Sequence, residues 1–325
     1  MIPTVAPARA GALAFEGVVV AAVGAWIKLG LGALALAALA GCNNSPHPRG
    51  AERENTLYMA FSERSPRYLD PTSSYAAPES TYVYEITEPP YGYHPLKRPY
   101  TLIPRAAESL AQPYFLDAQG RRLPDDAPDA QIAQAVYDIP IRRGLKWSPH
   151  PAFAKDAKGR PLYHHLQPGE LGDKRSPFEF AQRATREVVA EDFVYALKRH
   201  ASPRLEAPVA SVFSEHIVGL KDYIALIKRE SARQLAGLPE NMADKPFLDL
   251  RQWPLAGAEA VNDHLLRIRL KGRYPQWRYW LATSFTSPIP WEVDAFYAQP
   301  GMAARSIGWN QWPVGTGPFM MTEYV

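Results

Sequence analysis

The chain has 325 residues, 46% of them apolar, and its 36 basic against 33 acidic side chains leave a formal charge of +3. That apolar share can bury a core, which excludes wholesale disorder, and so small a charge over this length gives no polyanion footprint that would argue for nucleic-acid binding. The 32 prolines argue against a helical bundle, and the single cysteine excludes an intrachain disulfide and a zinc site built on thiolates alone.

Residues 17–41 are apolar except for Lys28. As a membrane-spanning helix they would place an ammonium near the bilayer centre, at a cost of about 2.5–3.5 kcal/mol. The sequence parses better with Lys28 as a short basic start and residues 29–38 as an apolar segment of secretory-signal length. The next four residues, Leu39-Ala40-Gly41-Cys42, resemble the lipobox of bacterial lipoproteins, in which the cysteine is diacylated and becomes the mature N-terminus. This resemblance implies a signal peptide at 1–41 and lipid attachment at Cys42. It also implies a periplasmic or cell-surface protein tethered to its membrane rather than spanning it. Residues 42–56, rich in Asn, Ser, Pro and Gly, read as a flexible tether.

Residues 57–61 predict a short strand, and Ser80 is placed to N-cap a helix over 81–86. Residues 88–130 show no sustained period and predict loops and short strands. At 135–142 the period becomes two, with Tyr137, Ile139 and Ile141 on one side, and Pro140 favours an edge position for that strand. Residues 148–186 carry Pro149, Pro151, Pro161, Pro168 and Pro177 and predict a surface insertion. A helical period follows at 190–200, where Phe193, Ala196, Leu197 and His200 share a face, Glu191 and Asp192 begin the helix and Lys198 and Arg199 end it. A second helix is predicted over 221–235. A strand follows at 265–271, with Leu266, Ile268 and Leu270 inward. Further helices are predicted over 275–283 and 291–297.

Catalytic chemistry finds no motif. The chain has no G-x-S-x-G elbow, H-E-x-x-H helix, S-x-x-K or phosphate-loop lysine, and Gly315-Thr316-Gly317 lacks the third glycine of a dinucleotide loop. The adjacent His164 and His165 cannot share a face and read as solvent-exposed loop residues. The aromatics crowd two regions, one holding Tyr75, Tyr82, Tyr84, Tyr91, Tyr93 and Tyr100, the other Trp277, Tyr279, Trp280, Trp291, Trp309 and Trp312. Most should be core residues, the remainder suiting a site that accepts varied ligands.

Several segments, in order, resemble the family-5 extracellular solute-binding proteins, the oligopeptide- and dipeptide-binding receptors of bacterial ABC importers. They are Leu69-Asp70-Pro71 with Pro78-Glu79-Ser80, then Ala107-Glu108-Ser109, then Ile141-Arg142-Arg143-Gly144-Leu145-Lys146-Trp147-Ser148. After these come the helix from Ala190, Asn262-Asp263-His264, Thr286-Ser287-Pro288-Ile289-Pro290, and Val314-Gly315-Thr316-Gly317-Pro318-Phe319.

The resemblance implies an α/β periplasmic-binding-protein type II fold, incomplete: a first lobe built from 57–88 and 290–325, an inserted subdomain at 89–289, and the second lobe missing. It implies a monomeric receptor without metal, cofactor or enzymatic activity that captures short peptides and delivers them to permease subunits. Tyr75-Ala76-Ala77 would pair with the peptide backbone as an added strand. In oligopeptide receptors a cleft tyrosine stands where this chain has Val209, and a helix-capping Thr stands where it has Val189, a change that weakens an N-cap by about 0.5–2 kcal/mol. Two other readings remain open: a ligand sensor of the same fold reporting to a membrane partner, and a secreted lipoprotein hydrolase.

Overall fold

Pro78 sets where the first helix begins. In the computed structural model, which describes residues 64, 66–239, 242 and 244–324, helix α1 spans Ala77–Ile86, with Ala76 as an extended N-cap and the proline in the first turn. A proline there loses no hydrogen bond, because the N–H groups of a first turn have no helical partner. The start expected at Ser80 is thereby corrected. Ser80 lies inside α1 and donates both its N–H (3.2 Å) and its hydroxyl (3.1 Å) to the Ala76 carbonyl. The expected signal peptide, Cys42, the tether and the strand at 57–61 lie outside the described residues.

The aperiodic stretch that follows does hold short strands: β1 (Tyr91–Tyr93), β2 (Leu102–Pro104), β3 (Tyr114–Leu116) and β4 (Arg122–Leu123). β1 and β2 form a separate hairpin. Strand β5 (Gln134–Pro140) is followed by helices α2 (Ala190–Arg199), α3 (Ala210–His216) and α4 (Leu220–Leu235). Then come β6 (Ala258–Asn262), β7 (Leu265–Lys271), α5 (Trp277–Trp280) and α6 (Trp291–Tyr297). The mixed α/β composition expected from the sequence is therefore present. A five-stranded antiparallel sheet runs in the order β4-β3-β5-β7-β6, and α2 packs on β6 and β7.

Two expectations are corrected by the packing. β5 is an interior strand, paired with β7 over 135–140 and with β3 only over 134–136. Pro140 is tolerated because β3 has already ended beside it, and its carbonyl accepts the Glu108 N–H at 2.8 Å. Residues 148–186 are no mere surface insertion: Ala152, Phe153, Leu171 and Phe180 are buried in the same core as Trp147, Phe193 and Phe296. His150 joins them, its Nδ1 accepting the Ala152 N–H (3.1 Å), which leaves Nε2–H to donate to the Tyr297 hydroxyl (3.1 Å). Tyr297 in turn donates to the Trp312 carbonyl at 2.6 Å. Burial first, and then the neighbouring His164, push the His150 ring down to about 3, so the ring is neutral at physiological pH.

The Gly315-Thr316-Gly317 turn is set by a close approach of two backbones. A Cβ on Gly315 would stand 1.8 Å from the Ile86 carbonyl oxygen, and one on Gly317 would stand 2.3 Å from that of Glu85. Gly317 N–H donates to the Ile86 carbonyl (2.8 Å), and Ser148 N–H donates to the Gly315 carbonyl (2.8 Å). Only glycine lets this segment close onto the end of α1 and onto the start of the 148–186 stretch.

Candidate functional site

The residues before α1 divide into a part that is consumed by the fold and a part that is not. Asp70 accepts the Thr72 N–H on its side chain (2.9 Å), and its carbonyl takes the N–H groups of Ser73 and Ser74. Arg199, in the last turn of α2 and fully buried, donates to both Asp70 carboxylate oxygens at 2.8 and 2.9 Å. The same guanidinium donates to both oxygens of Asp294 on α6, at 3.2 and 3.0 Å. Tyr195 Oη and Trp309 Nε1 complete the Asp294 shell at 2.8 and 2.9 Å.

Burial alone would raise the Asp70 carboxyl, yet the Arg199 charge and the hydrogen bonds from Arg199 and Thr72 hold it below its usual range. Burial and the Asp294 charge push the Tyr195 phenol far up. With its guanidinium and two carboxylates paired and bonded, this cluster ties the Asp70-Pro71 turn to α2 and α6. It offers no free polar group to a ligand.

From Tyr75 on, the character reverses. Tyr75 is 73% exposed, and its ring stands 6.2 Å from that of Phe285. Ala76 is extended at φ −83°, ψ 155°. Among the described residues the N–H groups of Tyr75 and Ala76 and the Tyr75 carbonyl have no backbone partner. Ala77, the third residue of the strip expected to pair with a peptide, is the first residue of α1, and the Ala76 carbonyl is spent on Ser80. Ala76 is thus an extended residue running into the positive end of a helix.

The wall beside this strip is fixed from the rear. Burial first, relieved by the hydrogen bond to Phe285, lowers the His200 ring to about 4, so its Nε2–H donates to the Phe285 carbonyl at 2.8 Å. Ser284 N–H donates to the Tyr84 hydroxyl (3.3 Å), and the Ser287 and Thr87 hydroxyls meet at 3.2 Å. Phe285 was not picked out from the sequence. The available signal was its place one residue before the Thr286-Ser287-Pro288-Ile289-Pro290 motif.

Other singled-out residues take structural places. Val209 is buried in the core as the N-cap of α3. Val189 leaves α2 without a side-chain N-cap, but Asp192 at the third helical position accepts the Val189 N–H at 3.0 Å. Asp192 does more than complement a helix dipole. Arg186 grips it through both terminal nitrogens (2.8 and 2.7 Å) and reaches both oxygens of Glu292 at 2.7 Å. Of the two histidines read as exposed, His165 is. His164 is half-buried, with Nε2 3.0 Å from the Ala152 carbonyl oxygen and its ring edge-on to Trp291. Both line a cleft of about 560 Å³ between 161–165, 242–251 and α6. Among the described residues no cluster of His, Cys, Asp and Glu could hold a metal ion, and no helix is long and apolar enough to cross a membrane.

No family model matches the chain. The chain is 25% identical over 187 residues to the periplasmic oligopeptide-binding protein OppA of Escherichia coli K12, a match covering 54% of this chain and 28% of that protein. Solved structures also align with it. The murein tripeptide binding protein MppA of Escherichia coli does so at TM-score 0.45 and 18% identity, over 80% of this chain and 34% of that one. Haemophilus influenzae OppA in complex with RPPGFSPFR aligns with the same score, identity and coverage. The chain thus spans about a third or less of the length of these relatives. Its resemblance to the family-5 oligopeptide-binding proteins holds in sequence beyond the separate motifs, and these relatives are binding proteins rather than enzymes.

Proposed function

We propose, on the premise of that resemblance, that this chain is part of an extracytoplasmic receptor that captures short peptides and passes them to the permease of an ABC importer. The 187-residue match to a periplasmic oligopeptide-binding protein carries the reading. The Tyr75-Ala76 strip supplies chemistry that fits it, because backbone N–H groups unpartnered among the described residues, beside an exposed tyrosine, can bind a peptide through its main chain, indifferent to side-chain identity. In this reading 57–88 and 290–325 contribute to a first lobe and 89–289 to its inserted subdomain, and Cys42 carries the lipid that holds the receptor at its membrane.

Titration of short alanine peptides into isotopically labelled protein tests the peptide reading. The amide signals of Tyr75 and Ala76 shift saturably, with weak affinity for a single cleft wall, and amides that stay fixed at millimolar peptide overturn it. Lipidation is tested separately, since radiolabelled palmitate enters the parent chain but not Cys42→Ala.

A further inference from the structure

The β1–β2 hairpin takes no part in the site above. Its loop reads His94-Pro95-Leu96-Lys97-Arg98-Pro99-Tyr100-Thr101, with Leu96 85% and Tyr100 70% exposed. This loop is not slack. His94 N–H donates to the Thr101 carbonyl at 2.8 Å, and His94 Nδ1 accepts the N–H groups of Leu96 and Lys97, each at 3.2 Å. Arg98 donates to the Lys97 carbonyl (2.9 Å) and lies 4.5 Å over the Tyr100 ring, which meets Tyr93 edge-on at 5.9 Å. A bonded turn therefore holds a leucine outward with two cations beside it and two exposed tyrosines behind it. Tyr84 and Tyr279 stand near the Tyr93 phenol, and Arg278 extends over Tyr279 at 5.4 Å.

The segments that form this tip carry only cations, and the nearest carboxylate before them in the chain, Glu88, is paired with Arg105 and Arg142. Residues 89–107 contain no carboxylate, and neither do 272–291, the segment that brings Arg278 and Tyr279 to the hairpin. We propose that the tip is a contact for an anionic lipid surface. Leu96 enters the acyl boundary, Tyr93 and Tyr100 sit at headgroup depth, and Lys97 and Arg98 meet the lipid phosphates. A single protruding apolar residue buries too little area for a stable protein interface, whereas a bilayer surface demands no complementary shape. Tyrosine at the interface and lysine and arginine at the phosphates are the side chains that this environment selects.

The test uses the full chain carrying Cys42→Ser, so that no acyl chain attaches, and Leu96→Cys labelled with a polarity-sensitive fluorophore. Vesicles of mixed phosphatidylglycerol and phosphatidylcholine produce a blue shift and a severalfold rise in emission, while phosphatidylcholine alone does not. Lys97→Glu with Arg98→Glu, or molar salt, abolishes the response, and the same label at Leu162→Cys stays unchanged. If the chain co-sediments with anionic vesicles while the label at 96 is silent, the contact lies elsewhere and the proposal fails. It fails equally if polyglutamate, and not lipid, drives the change, since the tip then serves an acidic protein partner.

Discussion

Residues 69–74 and 75–77 are consecutive in the chain and opposite in physical state. In the first group, Leu69, Asp70, Thr72 and Ser74 are buried, and the carboxylate is locked to a guanidinium 129 residues away. In the second, Tyr75 is open to solvent and its backbone has no hydrogen-bond partner among the described residues. The contrast teaches how a surface segment can offer backbone without losing its position. A segment with free N–H groups would wander or fold back unless its neighbour were pinned. Arg199 does the pinning, at a site where breaking the pair costs more than making it returns.

Four experiments bear on this division between a held turn and an offered strip. Arg199→Met leaves the buried Asp70 and the partly buried Asp294 without their cation and should lower stability by about 3–5 kcal/mol, read as a drop in the urea midpoint. A loss below about 1 kcal/mol would mean that the turn is held by something else. Gly315→Ala forces a methyl group against the Ile86 carbonyl at the far end of α1. It should cost about 1–3 kcal/mol, and a neutral result would show that the glycine turn is free to step away from the helix.

The third experiment concerns pH. His150 and His200 stay neutral in the folded protein down to about 3 and about 4. In the unfolded chain they take up protons near the ordinary value of about 6.5. Between about 6.5 and about 4 the unfolded state therefore binds more protons. Stability present above that window falls as the pH drops, by about 1.4 kcal/mol per pH unit for each ring. His200→Asn should flatten the stability slope measured by denaturation at several pH values by that amount, and an unchanged slope would show that the ring behind Phe285 is already hydrated. The smallest effect is expected at the strip itself. Ala76→Pro fits the observed φ of −83° and removes an unspent donor. Stability should change by no more than about 0.5 kcal/mol while peptide-induced shifts weaken severalfold, and a large stability loss would show that the strip is part of the held region.

The legible parts of this protein are those where one periodicity ran long enough. α2, α4, α6 and β7 fall within a residue or so of their expected bounds because Phe193, Ala196, Leu197 and His200, or Leu266, Ile268 and Leu270, repeat at one spacing. α3 has seven residues, too short to establish a period, and went unseen. The prolines of 148–186 signalled turns correctly but concealed that the turns carry Phe153, Leu171 and Phe180 inward. At the site, the motif order points to Tyr75-Ala76-Ala77, while Pro78, which sets the start of α1 at Ala77, carries no helical period that would mark that start. Arg199 was read as a cation at a helix end. Its true partners lie in other elements, and no local pattern announces a pair 129 residues apart.

The half-open flank of β5 bears on how this protein behaves in a crowd. Beyond Val136 the strand has β7 on one side only, and an exposed row of amides there would be a template for strand addition from another molecule. Three features deny that template. The Ala106–Glu108 backbone crosses the far end, giving the Glu108 N–H to the Pro140 carbonyl and taking the Arg142 N–H on the Ala106 carbonyl. Pro140 itself has no N–H to give. Between them Asp138 carries a carboxylate held to Arg267 at 2.7 and 2.8 Å, a charge that an incoming apolar strand would have to bury. The proline that looked like an edge marker thus works as a guard against aggregation.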